Sequence, residues 1–175
     1  MDLPMDTNQT YDYSEILEGI LTRDDVLRFI EQLGNLEQEL FHSSDHGLSS
    51  DSIGEVFGRA LPYDKAKRVQ AFIHKAHIAE TDIMAVKSIL DVLKQYLQSI
   101  PVATVTLAFE LNLAQVRRIL QSITQSYGKA AVLQIVIDPS IVGGMVFEWE
   151  GKYHDYSIKK KVEKYFEAMR RKITS

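Results

Sequence analysis

The hydrophobic period of this chain changes at Pro101, and that change limits the folds open to it. Upstream, apolar residues recur every three or four positions, as in Val26, Phe29, Ile30, Leu33, Leu36 and Leu40. Downstream, Val102-Ala103-Thr104-Val105-Thr106-Leu107 is rich in β-branched residues and alternates. A three-to-four period places side chains on one face of a helix, whereas alternation suits a half-buried strand. The expected fold is therefore mainly α with a small α+β part. An N-terminal helical bundle, residues 1–100, precedes a β-α-β-β-α C-terminal module, residues 101–175.

Within the bundle, Ile16, Leu17, Ile20 and Leu21 form a short apolar stripe, and Thr22 is placed to cap the next helix. Gly34-Asn35 permits a kink in that helix. His42 to Ser50 reads as a loop by composition. Ser50 or Asp51 starts a helix with Ile53, Val56, Phe57 and Ala60, and Pro62 suits the first turn of another. Thr81 is the expected cap of the last bundle helix. That helix carries two stripes, Ile83-Val86-Leu90-Leu93-Leu97 and Ile89-Val92-Tyr96-Ile100, so it packs on two sides. In the module, Leu113, Val116, Leu120 and Ile123 mark a helix stopped at Tyr127-Gly128. The nearly all-apolar run Ala131–Ile137 reads as a central strand covered on both faces. Met145, Phe147 and Trp149 share a strand face, and Glu150-Gly151 signals a hairpin into Lys152-Tyr153-His154. Ser157 is placed to cap a final helix with Ile158, Val162, Phe166 and Met169 inward and Lys159, Lys160, Lys161 and Lys164 mostly outward.

Charge is distributed as a gradient. Residues 1–60 carry 3 Lys/Arg and 13 Asp/Glu, a net −10; residues 61–151 carry 9 and 8; residues 152–175 carry 8 and 3, a net +5. The simpler reading is a solvated acidic bundle and a solvated basic helix face; the sharper one is two ends that face partners of different charge. The chain has no cysteine, so disulfide and thiolate chemistry are excluded. No apolar run reaches the ~18–20 residues of a membrane-spanning helix. The acidic start MDLPMDTNQTYDYS resembles neither a secretory nor a transit peptide.

The candidate chemistry is sparse. His74 and His77 share a helix face near Glu80 and Asp82, and His42 and His46 bracket Asp45. Neither set fixes the three or four converging ligands of a zinc site. The most punctuated stretch is Ile135-Val136-Ile137-Asp138-Pro139-Ser140-Ile141-Val142-Gly143-Gly144-Met145-Val146-Phe147. A phosphate loop would end in Gly-Lys-Ser/Thr and enter a helix, and an RNA-clamping Gly-x-x-Gly would lie between helices; here the flanks are strands. The simpler reading is structural. Asp138-Pro139 ends a strand, Asp138 or Ser140 accepts from a nearby backbone N–H, and Gly143 or Gly144 provides positive φ or close backbone approach. No metal, cofactor or catalytic group is expected.

This run resembles the signature of the delta subunit of F-type ATP synthases, called the oligomycin-sensitivity-conferring protein in mitochondria. In that family a strand enters Asp-Pro-Ser-Leu-Ile-Gly-Gly, followed by a second strand, a Gly-containing hairpin, Asp-Gly-Ser and a basic helix. Here Asp138, Pro139, Ser140, Gly143 and Gly144 match, Gly151 stands at the hairpin, and Asp155-Tyr156-Ser157 replaces Asp-Gly-Ser with a tyrosine at its centre. Val102-Ala103-Thr104-Val105-Thr106 is similar to the family's first strand. The resemblance covers about residues 101–166, and the bundle matches in pattern and position. It implies a non-catalytic peripheral-stalk subunit without cofactor. Its bundle would grip N-terminal helices of the alpha subunits and its C-terminal module would join the stalk b subunits. The catalytic head would then resist rotor torque during proton-driven ATP synthesis. It further implies a peripheral position on the cytoplasmic face of a bacterial inner membrane, held only through the complex, and no nucleic-acid partner. Lys159, Lys160, Lys161 and Lys164 are the candidate stalk contacts. The reading from another class is a small RNA- or ribosome-associated factor using the basic C-terminal helix; against it, the aromatic residues nearby form no clear stacking platform.

Overall fold

The computed structural model describes residues 12–44 and 50–173. The chain divides into two compact units, Met1–Gly19 with Arg28–Leu97, and Ile20–Leu27 with Gln98–Ser175. The division at the C-terminal side of the bundle lies close to Pro101. Residues 20–27, read from sequence as part of the bundle, group instead with the C-terminal unit.

The first unit is helical: α1 (Ser14–Leu17), α2 (Arg23–Ser44, from Arg28 onward), α3 (Ser50–Ala60), α4 (Tyr63–Lys75) and α5 (Ile83–Ser99). Most of its core follows the expected stripes, though Ile30, Ala60, Ile83 and Val92 are only half-buried. Phe29, Leu33, Leu36 and Leu40 of α2 are buried, as are Ile53, Val56 and Phe57 of α3 and Ala66, Val69, Phe72 and Ile73 of α4. On α5, one stripe buries Val86, Leu90, Leu93 and Leu97, and Ile89 is buried on the other, where Tyr96 is half-buried. Tyr13 stacks on Tyr96 at 3.6 Å between ring centroids and leans on Phe72 at 5.5 Å. Lys94 lies between Glu37 and Asp91, 2.9 Å from one carboxylate and 2.8 Å from the other.

Three local expectations change. α2 runs unbroken through Gly34-Asn35, because Leu33 and Leu36 on either side are fully buried and hold the helical phase. It also continues to Ser44, so His42–Ser44 is helical, and the rest of the expected loop lies outside the described residues. The side chains of Ser50 and Asp51, the expected cap of α3, are likewise outside the description. At α5 the cap is Asp82, not Thr81: its Oδ1 accepts from the Ala85 N–H at 3.0 Å. By contrast Thr22 caps α2 as expected. Its Oγ1 accepts from Asp25 N–H at 3.2 Å while Asp25 Oδ2 accepts from Thr22 N–H at 3.0 Å, a reciprocal arrangement.

The second unit is a four-stranded sheet with helices. The strands β1 (Val102–Leu107), β2 (Val132–Ile137), β3 (Met145–Trp149) and β4 (Lys152–Asp155) are ordered β2-β1-β3-β4. β1 and β2 are parallel, joined through α6 (Leu113–Tyr127) in a β-α-β unit. β3 is antiparallel to β1 and to β4. The architecture is the expected mainly helical one with a small sheet, and the returning arm of the hairpin adds the strand β4. Asn112 and Gln115 form a capping box at the start of α6, and Gly128 ends it. Ala103, Val105 and Leu107 of β1 join Val116 and Ile123 of α6, Leu133, Phe147 and Trp149 in one apolar core.

The run Ala131–Ile137 is not central. β2 is an edge strand, and its last residues Val136 and Ile137 are exposed; β1 holds the centre. Val132 and Leu133 are buried, and Leu133 N–H donates to Leu21 O at 2.9 Å, so the segment before α2 covers one end of that edge. Covered edges resist stray pairing, which accounts for an apolar strand at the margin. No helix among the described residues is long and apolar enough to cross a membrane.

Capping gives a direct check. Asp82→Ala should lower stability to urea by about 0.5–2 kcal/mol, and Thr81→Ala should leave it within about 0.5 kcal/mol of wild type. Equal losses would return the cap to Thr81.

Candidate interaction site at the glycine turn and the C-terminal helix

After β2 the chain turns through a 3-10 segment, Pro139–Ile141. Asp138 Oδ1 accepts from Ser140 N–H at 2.9 Å, and Asp138 N–H donates to Leu107 O at 2.7 Å, which ties the turn to β1. Ile141 is buried beneath it. Val142 has φ 67°, ψ −33°, a conformation costly for a β-branched side chain, and its side chain is exposed. Gly144 follows at φ 76°. A Cβ on Gly144 would collide with the Tyr156 carbonyl oxygen and approach Ser157 Cα and Tyr156 C to 3.2 Å. Around this contact Tyr156 N–H donates to Met145 O and Ile158 N–H to Gly143 O, both at 2.9 Å. The glycine pair therefore exists so that the backbone entering the last helix can lie against it.

That second backbone is built in the same way. At the hairpin, Glu150 (φ 47°) and Gly151 (φ 75°) both take positive φ, the form that matches the twist of a two-residue turn. Asp155 Oδ1 accepts from Ser157 N–H at 2.9 Å, and Ser157 Oγ accepts from Lys160 N–H at 3.2 Å. Ser157, buried, thus caps α7 (Ile158–Ile173). Asp138, Pro139, Ser140, Gly143, Gly144 and Ser157 meet around one joint. Gly151 lies apart, at the far end of the β3–β4 hairpin.

The helix leaving the joint departs from expectation. Ile158, Val162, Phe166 and Met169 are not packed inward: they are 42–58% exposed, and Tyr165 is also exposed. The stripe is amphipathic in pattern, but among the described residues α7 meets its unit chiefly at the 3-10 turn at its start and the stripe stays exposed. Lys159, Lys161 and Lys164 are exposed along it, and Lys160 Nζ lies 3.9 Å from Asp155. Sequence reasoning placed the lysines and missed the open apolar face. The signal available was that Ile158, Val162, Phe166 and Met169 have cations on both flanks.

Two grooves, one in each unit, were not foreseen. In the first unit a cavity of about 470 Å³ is lined by Leu40, Phe41, Ile83 and Met84 together with the polar Glu37, Gln38, His42 and Lys87, with Phe41 and Met84 largely exposed. In the second, a cavity of about 380 Å³ between α6 and β3 is lined by Ile119, Ile123, Tyr127, Met145, Phe147 and Tyr156. The histidines assemble nothing comparable. His74 Nε2 pairs with Glu80 at 3.2 Å, and no group of three metal-ligating side chains occurs among the described residues. His46 and Asp45 lie outside them.

Hydrogen bonding with Ser140, side chain and backbone, holds the Asp138 carboxyl below the usual carboxylate range, and Ser157 does the same for Asp155. A carboxyl whose value falls on folding stabilises the fold above its unfolded value and loses that contribution as pH falls through the depressed one. Asp155→Asn keeps an acceptor and removes the charge. Wild type should exceed it in Tm at pH 7, and the difference should vanish as pH falls below about 4; a gap constant with pH would assign the effect to shape. In the turn, Gly144→Ala should cost at least about 2 kcal/mol from the left-handed backbone and the collision with Tyr156. Gly143→Ala meets only the flexible tip of Ile158 and should cost less, and Val142→Gly should be neutral or stabilising. Chemical denaturation ranks the three.

The sequence matches known proteins. The family profile described as ATP synthase delta (OSCP) subunit matches residues 53–169. The chain is 28% identical over 166 residues to the ATP synthase subunit delta of Heliobacterium modesticaldum, covering 90% of this chain and 83% of that one. It is 39% identical over 69 residues to the mitochondrial ATP synthase peripheral stalk subunit OSCP of Bos taurus, covering 39% of this chain and 32% of that one. A chain in the cryoEM structure of the Polytomella F-ATP synthase aligns at 24% identity over 43% of this chain and 98% of that chain, with a TM-score of 0.37. The family profile spans both the bundle helices from Ile53 onward and the whole glycine joint, and this chain belongs to the ATP synthase delta (OSCP) subunit family.

Proposed function

We propose that this protein is the non-catalytic peripheral-stalk subunit that ties the catalytic head of an F-type ATP synthase to the stalk b subunits, so that the head does not turn with the rotor. The observation that carries the reading is the open apolar stripe of α7 with its basic flanks. A helix that exposes Ile158, Val162, Phe166 and Met169 is built to be covered by another chain, and a net charge of +5 over residues 152–175 favours an acidic helix. The stalk contact is assigned here, with Lys159 and Lys161 at its margins and Lys160 and Lys164 on the opposite face adding to the basic field. The head contact is assigned to the first unit, where the groove at Leu40, Phe41, Ile83 and Met84 suits the apolar face of an amphipathic helix from the N-terminus of an alpha chain. In this reading the protein sits peripherally at the cytoplasmic face of the membrane, held by the complex.

The test is a double dissociation by calorimetry at low salt, with one peptide from the C-terminal end of the stalk b chain and one from the N-terminal end of the alpha chain. Lys159→Glu, Lys160→Glu and Lys161→Glu together should weaken binding to the stalk peptide tenfold or more, since rim charges are worth roughly 0–1 kcal/mol each. Affinity for the alpha peptide should not change. Phe41→Glu with Met84→Glu should do the reverse. Equal losses at both sites would mean misfolding, and no loss at either would leave the lysines a solvated face. Tight, specific RNA binding by the wild type, with no affinity for either peptide, would replace the assignment.

A further inference from the structure

The order of charges around α7 carries a second consequence. At about 100° per residue, Ile158, Val162, Tyr165, Phe166 and Met169 fall within an arc of about 100°. Lys159 and Arg170 border that arc on one side and Lys161 on the other, while Glu163 and Glu167 fall within the polar face beyond Lys159 and Arg170. Every residue from Lys161 to Arg171 is exposed, so the helix stands as a ridge and not as one wall of a groove.

A ridge with an apolar crest, cations at both margins and anions set back from it matches a planar boundary between hydrocarbon and negative charge. A helix of 16 residues, about 24 Å long, can lie flat in such a boundary with its crest among acyl chains and its lysines at the phosphate level. Tyr165 at the edge of the crest has the amphipathic ring that favours headgroup depth. A second copy of the chain is disfavoured as the occupant, since pairing α7 with itself would bring both lysine margins together.

We propose that α7, when no stalk helix covers it, binds the surface of an anionic phospholipid bilayer, with the crest inserted and Lys159, Lys161 and Arg170 facing lipid phosphates. This site overlaps the proposed stalk contact but does not depend on that reading. In a complex the two occupants would exclude each other, so lipid would hold the unassembled protein near the membrane and be displaced on assembly.

The experiment uses the full chain and sedimentation with large vesicles, of phosphatidylcholine alone or with about a third phosphatidylglycerol. The wild type should partition onto the anionic vesicles, weakly or not at all onto the neutral ones, and lose binding as salt rises. Val162→Glu with Phe166→Glu should abolish partitioning. Lys159→Glu, Lys161→Glu and Arg170→Glu together should lower it about a hundredfold or more, from roughly 1 kcal/mol per basic residue near the surface. Circular dichroism of each variant checks that the fold is retained. Three outcomes would overturn the proposal: no partitioning of the wild type at low salt, binding that survives loss of the crest, or tighter binding to a short RNA duplex that depends on the lysines alone. The stalk peptide provides a separate arm. If it binds and strips the protein from vesicles, both readings stand; if it fails to bind while vesicle binding persists, only the stalk reading falls.

Discussion

The C-terminal unit depends on one close approach, that of the Gly144 backbone to the Tyr156 carbonyl and Ser157. Where a Cβ would collide, two chain segments instead exchange hydrogen bonds, Tyr156 N–H to Met145 O and Ile158 N–H to Gly143 O. Much follows from this contact. It closes β4 onto β3 and stations Ser157 to cap α7. It also fixes the point from which that helix leaves the sheet. The Asp138 and Asp155 side chains each hold a turn beside it by accepting a backbone N–H two residues on. The turn is thus a joint made of backbone, and what it positions is the exposed apolar face of α7.

The two units use helices in opposite ways. In the first, α2 to α5 bury their stripes against one another, down to full burial at Leu33, Leu36, Ile53, Leu90 and Leu93. In the second, α7 carries an equally clear stripe and leaves it exposed. Burial of such side chains is worth on the order of 1.5–3 kcal/mol each. An uncovered stripe therefore leaves free energy available to whatever covers it. That is the property the proposed linking role needs: folding stability in the bundle and the α6–sheet core, and an apolar face on α7 left open to a partner.

The same pattern explains which parts were legible in the chain itself. Helical period, alternation, the break at Pro101, the hairpin at Glu150-Gly151 and the caps at Thr22 and Ser157 are local properties, set by side-chain spacing and by the backbone freedom of single residues. They were readable because each is decided within a few positions. The run Asp138–Gly144 was readable for the same reason as a turn, and its likeness to one family was readable because its order of residues is long. The misplaced features were of two kinds, a choice between neighbouring residues and a placement in the sheet. Thr81 and Asp82 are both able to cap, and only the register of α5 chose Asp82. The run Ala131–Ile137 is apolar enough for a central strand, yet it lies at the edge with Leu21 bonded along part of it.

By itself, then, the sequence determined the fold class, the positions of most elements, the bundle core and the family, because periodicity, capping and motif order are written in neighbouring residues. Only the tertiary structure decided strand order, the partner of Gly144 and the fate of the α7 stripe. An amphipathic pattern states that a face is apolar without stating what covers it. For α2 to α5 the cover is the bundle. For α7 it is absent from the described residues, because the joint at Gly144 and Ser157 directs that helix away from the sheet core.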